Sequence, residues 1–227
     1  MSSFQLPRTR EFDSASRANA TEDSAHEHNH VTYRYCVMSY SKTTHEVSMS
    51  GSQQNLDRLT NQIFNTMENA DEILVLAESC TAGLIAATLA RVPGMSRRLA
   101  GSFVVYQIDS KVAWLGVPLD TIQQHGVVSQ EIAMSMATRA LNITPHATIA
   151  MSITGHLGPD APAELDGVAW LAIMPRSGKP ITIRLQLESD SPDDSIRRRH
   201  DRQEDGVRQA LNRLLHELNH RQCIETD

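Results

Sequence analysis

Apolar residues recur along the chain in two spacings, which predict helices and strands in alternation. Four of them, three or four residues apart, indicate one face of a helix over 54–69: Leu56, Leu59, Ile63 and Met67. The continuous apolar run 73–77 is typical of a strand covered on both faces. The Ala- and Leu-rich run 81–91 favours a helix. The pattern therefore predicts a buried strand, a turn and a helix in succession.

The same pattern continues through the rest of the chain. Four further strands are predicted, at 103–106, 147–153, 167–174 and 181–187. Helices are predicted at 109–115 and 119–124, from a cap at Ser129 to a point before Pro145, and around Val207 to Leu218. We expect an α/β fold, a three-layer α/β/α sandwich with a mixed, mainly parallel sheet.

The first 50 residues differ in character from the rest. They are polar and charged and offer little that could be buried, so we expect a poorly ordered extension over 1–50 and one domain over 51–222. Within the extension, 31–37 has strand-like composition, and Met49 is a candidate alternative start. His26, His28 and His30 alternate there and would bind a transition metal weakly at most.

Charge and composition exclude several classes of function. The net charge of −6 and the 4% aromatic content argue against a nucleic-acid binder, which needs a basic face and stacking platforms. No apolar run is long enough for a membrane span. The three cysteines (Cys36, Cys80 and Cys223) are far apart and fit neither a zinc site nor a disulfide framework. We expect a cytoplasmic protein without metal or cofactor.

Ser79 is the candidate nucleophile, and it lies between the predicted buried strand and the helix that follows it. It follows the buried strand and precedes a predicted helix, where backbone N–H groups lack intrahelical partners and could bind an oxyanion. The same position is typical of a simple helix cap. A base is also needed, and Lys111 would serve if burial lowers its pKa, although a lone lysine is more often at the surface. Tyr106 ends a predicted strand five residues earlier.

A family resemblance rests on six short segments that occur in a fixed order. They are Glu78–Leu84, Val92–Gly94, Tyr106 with Lys111, Leu115–Pro118, His125–Ser129 and Ile153–Gly155. Together they resemble the CinA C-terminal domain family, which includes stand-alone nicotinamide-nucleotide amidohydrolases. The resemblance covers roughly residues 54–220.

The resemblance implies hydrolysis of the carboxamide of nicotinamide mononucleotide (NMN) to the carboxylate, with ammonia released by way of an acyl-enzyme. Ser79 would attack, Lys111 would be the general base, and Tyr106 would hold or relay the proton. Backbone amides near Thr81 and Ala82 would stabilise the oxyanion. Five substrate-binding residues are implied: Thr81, Ala82, Gly83, Thr154 and Gly155. The expected partner is a small nucleotide, and a homo-oligomer is left open.

Cys80 is an alternative nucleophile, because a thiolate near a helix start can be more reactive than a hydroxyl. Neighbouring helical side chains point about 100° apart, so Ser79 and Cys80 would not both face the substrate. The family pattern favours Ser79, and it leaves Cys80 as a packed thiol.

The chain departs from the family pattern at three places. Ala82 stands where a second glycine is usual. The glycine-rich loop of the family, which ends in Lys-Pro-Val-Gly, is replaced here by 158–167 with three carboxylates: Asp160, Glu164 and Asp166. We expect these carboxylates to weaken the binding of an anion. Glu204 takes the place of an arginine before the last helix, with Arg202 a shifted substitute.

Two further features are open to more than one interpretation. The run 197–199 is interpreted as a solvated approach to the last helix. His156 either lines the site or lies in a surface loop.

Two other functions fit the sequence: a non-catalytic nucleotide-binding or regulatory module of the same fold, and a hydrolase of a different small amide.

Overall fold

The computed structural model describes residues 51–191 and 193–225. Several expectations lie outside these residues: the poorly ordered extension, the strand-like run 31–37, the three N-terminal histidines and the start at Met49. The domain bounds 51–222 stay a prediction.

The described chain alternates helices and strands as the apolar pattern predicts. The helices are α1 (Gly51–Asn69), α2 (Leu84–Leu89), α3 (Ile108–Leu115), α4 (Leu119–His125), α5 (Gln130–Ile143) and α6 (Ser195–Glu225). The strands are β1 (Leu74–Glu78), β2 (Leu99–Val104), β3 (Ile149–Gly155), β4 (Val168–Pro175) and β5 (Ile181–Gln186). Short 3-10 turns lie at Met95–Arg97 and Ala163–Leu165.

The strands form one mixed sheet in the order β2-β1-β3-β4-β5. β1 pairs in parallel with β2 and β3, whereas β4 is antiparallel to both of its neighbours, so four strands share one direction. Glu78 at the end of β1 pairs with Val104 of β2 and Ile153 of β3. The carboxyl ends of three parallel strands therefore meet at one edge, where α/β proteins usually bind ligands.

Alternation along β1 divides the core between the two faces of the sheet. Leu74 and Leu76 belong to the apolar cluster that includes residues of α1, α2 and α6. Val75 and Ala77 belong to the cluster that includes residues of α3, α4 and α5. Successive strand side chains point to opposite faces, so a continuous apolar run is what a doubly covered strand requires. The predicted three-layer α/β/α sandwich is confirmed.

Several predicted elements have other bounds in the structure, including the last helix, which begins at Ser195 rather than near Val207. β2 spans Leu99–Val104 rather than 103–106. Its first half was not predicted, because Gly101 and Ser102 are not typical strand residues. Helix α2 begins at Leu84 rather than at residue 81, because Ala82 and Gly83 have φ angles of 52° and 93°. These angles belong to the left-handed region and are incompatible with an α-helix. Ser79 therefore lies in a turn that separates β1 from α2.

Candidate active site

A cavity of about 650 Å³ opens where the chain leaves the parallel strands. Ser79 follows β1, Tyr106 lies beyond β2, and Gly155 ends β3. All three line the cavity, as do Lys111 from α3 and Arg199 from α6. The sheet topology thus brings together residues that are 120 positions apart in the sequence, from Ser79 to Arg199.

Lys111 and Ser79 form the central contact of this cavity. The Lys111 Nζ atom lies 3.0 Å from Ser79 Oγ, within hydrogen-bond distance. Only 2% of Lys111 and 8% of Ser79 are exposed. Burial lowers the pKa of Lys111 from 10.5 to about 8, because the desolvated site disfavours the charged ammonium. A minority of this lysine is therefore neutral near physiological pH, and the neutral fraction grows as the pH rises towards 8.

Two backbone carbonyls orient the amine. Lys111 Nζ donates to the carbonyl oxygen of Val105 at 2.7 Å and to that of Tyr106 at 3.3 Å. A neutral amine has two N–H donors and one lone pair. With both N–H groups on carbonyl oxygens, the lone pair is left for the proton of the Ser79 hydroxyl. This arrangement is what a general base next to a nucleophilic serine requires.

The buried carboxylate of Glu78 organises the turn that carries Ser79. It is 1% exposed and accepts hydrogen bonds from the Thr81 and Ser102 hydroxyls and from three amides of Gly83, Ile85 and Ala86, at 2.8–3.1 Å. The first amides of α2 are therefore bound by a carboxylate of the protein, which satisfies donors that a helix start leaves free.

The hydrogen bonds of this turn involve the residues that the sequence analysis expected to stabilise the oxyanion and bind the substrate. The Thr81 hydroxyl and the Gly83 amide donate to Glu78, and the Ala82 amide donates to the carbonyl oxygen of Ser79 at 3.0 Å. None of these three residues lines the cavity. The structure therefore engages these groups in shaping the turn, and their expected contacts with substrate stay a prediction.

Thr154 and Gly155 do line the cavity, as the sequence suggested. The Thr154 hydroxyl donates to the carbonyl oxygen of Val127 at 2.8 Å, which fixes the loop before α5. A Cβ atom at Gly155 would lie 2.7 Å from Cβ of Ala169 on β4. Only glycine fits this close approach between strands.

Tyr106 contributes to the site through its backbone more than through its phenol. Half of the residue is exposed (51%), and Arg199 Nη2 donates to its hydroxyl. No hydrogen bond among the described residues joins that hydroxyl to Ser79 or Lys111. The expected role of the phenol in holding or relaying the proton therefore stays a prediction, whereas the Tyr106 carbonyl directly contacts the amine.

Arg199 is a cavity residue that the sequence interpretation missed. It is half-buried in the cavity wall, where its Nη1 donates to the carbonyl oxygen of Gly158 at 2.7 Å. The interpretation of 197–199 as a solvated approach is wrong for this residue, because α6 already begins at Ser195 and turns Arg199 inward. The signal was its spacing from Arg202, which places both residues on one helical face.

Arg202 does not substitute for a cavity arginine. It is 8% exposed, does not line the cavity, and forms two 2.7 Å hydrogen bonds with the Asp166 carboxylate. This pairing lowers the pKa of Asp166. Asp160 and Glu164 are exposed and also lie outside the cavity lining. The acidic loop thus presents less charge to the cavity than its composition indicates.

Cys80 and His156 both line the cavity. Burial raises the pKa of the Cys80 thiol to about 12, so the thiol is protonated at neutral pH and a poor nucleophile. This favours Ser79 over Cys80. In the part of the chain that the structure describes, no group of three or more His, Cys, Asp or Glu side chains is arranged to hold a metal. Nor does any described helix have the length and apolar character to cross a membrane.

Known proteins resemble this chain in sequence and in fold. A competence-damage inducible protein of Streptococcus pyogenes is 42% identical over 102 residues, which are 45% of this chain and 24% of the relative. The match thus spans only about a quarter of that longer protein.

Two solved structures cover the fold more completely. The competence/damage inducible protein CihA from Agrobacterium tumefaciens is 32% identical with a TM-score of 0.65, over 73% of this chain and 96% of that one. A CinA superfamily protein from Klebsiella pneumoniae is 27% identical with a TM-score of 0.66, over 74% and 99% of the two chains. The profile of the CinA C-terminal domain matches residues 56–218, and the chain belongs to that family.

Proposed function

We propose that this protein hydrolyses the carboxamide of NMN to nicotinate mononucleotide and ammonia, with Ser79 as nucleophile and Lys111 as general base. The observation that supports it best is the 3.0 Å contact between a buried lysine of lowered pKa and a serine hydroxyl in an open cavity. An unpaired surface lysine would have neither the burial nor the oriented lone pair.

The proposed reaction has two stages. Neutral Lys111 takes the Ser79 proton as Oγ attacks the amide carbon, and the resulting ammonium gives that proton to the leaving nitrogen, so ammonia departs and an ester remains on Ser79. Lys111 then takes a proton from a water molecule that attacks the ester, and returns it to Oγ as the carboxylic acid leaves and ionises to the carboxylate. The carbonyls of Val105 and Tyr106 hold the amine in place throughout.

Arg199 supports a phosphorylated substrate. Its guanidinium is the kind of group that binds phosphate, and it reaches the cavity from α6 beside the Tyr106 hydroxyl. A mononucleotide would then place its amide at Ser79 and its phosphate at Arg199. We place this small-molecule activity in the cytoplasm, in keeping with the absence of a disulfide pattern in the sequence.

A second candidate is a nucleotide-binding module without catalysis. It is favoured by the amides of Ala82 and Gly83, which bind Ser79 O and Glu78 instead of facing the cavity as oxyanion donors. A third candidate, hydrolysis of another small amide, differs from the first only in the ligand that the cavity accepts. The two alternatives make different predictions about turnover and about phosphate.

The test combines turnover and binding. Purified protein is incubated with NMN, with nicotinamide riboside and with nicotinamide, and ammonia and the acid product are measured beside a Ser79→Ala control. The proposal requires NMN turnover that the control lacks. Calorimetric binding of NMN without ammonia release would favour the non-catalytic module, and turnover confined to the compounds without phosphate would favour the third candidate.

A further inference from the structure

Two arginines of α6 bind one wall of the cavity. After β3, residues 156–159 line the cavity. Arg202 Nη1 donates to the carbonyl oxygen of Leu157 at 3.2 Å, and Arg199 Nη1 donates to that of Gly158 at 2.7 Å. Two consecutive carbonyls are thus held by residues one helical turn apart, which project from the same face of α6.

Arg202 is itself fixed by Asp166, at the far end of the loop 158–167. Both terminal nitrogens of the guanidinium bind the carboxylate at 2.7 Å, a bidentate geometry that fixes orientation as well as distance. Arg202 Nε is buried and meets no acceptor among the described residues. The carboxylate therefore provides most of the compensation for this buried charge.

Two glycines let the backbone approach this ion pair. A Cβ atom at Gly158 would lie 3.1 Å from both Arg202 Nη1 and Asp166 Oδ1. A Cβ atom at Gly167 would lie 3.2 Å from Arg202 Cζ and 2.9 Å from the carbonyl oxygen of Leu187. Their φ angles are +73° and +72°, which glycine adopts without strain. The pair thus closes the base of the loop, between its first and last residues.

We propose that Asp166 and Arg202 are positioning residues that set the affinity of the cavity for an anionic substrate. They act through the backbone of Leu157 and Gly158, and through Gly158 on the guanidinium of Arg199. The affinity claim rests on the proposed function. It reverses the expectation from composition, in which each carboxylate of the loop opposes anion binding: Asp166 favours it.

A positioning role and a charge effect alone predict opposite changes in NMN affinity for Asp166→Asn, and Asp160 provides the matched control. Asp160 belongs to the same loop, is exposed, and has a φ of 64° that asparagine tolerates. If charge alone matters, Asp166→Asn and Asp160→Asn both strengthen NMN binding. If Asp166 positions the wall, Asp166→Asn weakens NMN binding by about tenfold or more, while Asp160→Asn leaves it within about twofold.

The experiment measures calorimetric binding of NMN to full-length Ser79→Ala protein, alone and with each asparagine substitution. Arg202→Lys is a second variant, which keeps the charge but loses the bidentate pair, and it should also weaken binding. In the active enzyme, Asp166→Asn should raise KM far more than it lowers kcat. Equal affinities for the two asparagine variants, or tighter binding with Asp166→Asn, would overturn the proposal.

A ligand-free measurement separates this inference from the proposed function. The His156 amide donates to Val168 O and the Gly167 amide to His156 O, at the base of the loop. Hydrogen exchange of both amides should be faster with Asp166→Asn and unchanged with Asp160→Asn, whether or not NMN is the substrate. If the parent protein fails to bind NMN but this exchange difference is observed, the proposed function fails and the positioning role stands. Unchanged exchange in Asp166→Asn would refute the positioning role.

Discussion

The Nζ atom of Lys111 lies 3.0 Å from the Oγ atom of Ser79, and both residues are buried at the end of the parallel strands. The contact joins α3 to the turn after β1, across 32 positions in the sequence. Desolvation lowers the pKa of the lysine, so the group that faces the serine can accept a proton near neutral pH.

The activity should depend on pH through Lys111. Because the neutral amine is the base, kcat/KM for NMN should rise by about tenfold per pH unit below the pKa and level off above it. The change of slope is expected near pH 8, where Lys111 loses its proton. The measurement is a pH profile of initial rates. A profile that stays flat through this region would exclude Lys111 as the base.

The stability should also depend on pH, with a definite sign. Lys111 has a pKa of about 8 in the folded protein and 10.5 as its ordinary value. Between these values Lys111 binds more protons in the unfolded chain, so its contribution to the free energy of unfolding rises with pH, by roughly 3 kcal/mol over the whole interval. Measured by urea unfolding, the free energy of unfolding of the wild type minus that of Lys111→Met should increase by this amount, because the raised pKa of Cys80 lowers the stability of both proteins alike above about pH 9. A difference between the two proteins that is independent of pH would contradict it.

Removing the charge of Glu78 should damage the nucleophile turn. In Glu78→Gln, one carboxylate oxygen becomes an NH₂ group that faces donors, so buried N–H and O–H groups lose their acceptor. We expect a loss of about 2–4 kcal/mol in the free energy of unfolding and about 100-fold in kcat. Ser102→Ala is the control, since it removes one donor and leaves the carboxylate. Similar losses in both variants would argue against this role for Glu78.

Arg199 should determine the preference for phosphorylated substrate. Arg199→Gln is expected to raise KM for NMN by about 10- to 100-fold and to change KM for nicotinamide riboside little, because the riboside lacks the phosphate. Arg213→Gln removes the same charge from an exposed position of α6 and should change neither KM. An equal increase for both substrates in Arg199→Gln would show that this guanidinium does not recognise the phosphate.

Local patterns predicted the layers of the fold well. The apolar run 73–77 overlaps β1, whose residues are all buried. A strand covered on both faces needs apolar side chains on both sides, and a continuous apolar run provides them. Ser129 caps α5, since its hydroxyl accepts from the Ile132 amide at 3.3 Å. The start of α2 was misplaced because helix propensity indicates neither the left-handed φ of Ala82, which is unusual for a residue with a Cβ atom, nor the hydrogen bond from the Gly83 amide to Glu78.

The site was only partly predictable, because some of its contacts join residues that are far apart in the sequence. Ser79 and Lys111 stand out by motif, and the structure brings them together. The partners of Tyr106 and Asp166 are arginines of α6, and such contacts depend on how a distant helix packs rather than on sequence spacing. Counting the acidic residues of the loop 158–167 therefore overstated its charge, because Asp166 is neutralised by a residue 36 positions away.

The most direct test of the central claim is the initial rate of ammonia release from NMN, measured above pH 8 with wild type, Ser79→Ala and Lys111→Arg side by side. Arginine resembles lysine in length but stays protonated at this pH, so it does not act as a base. We expect release by the wild type and a loss of about 1,000-fold or more in both variants. Undiminished release in either variant, or none from the wild type, would contradict a Ser79–Lys111 amidohydrolase acting on NMN.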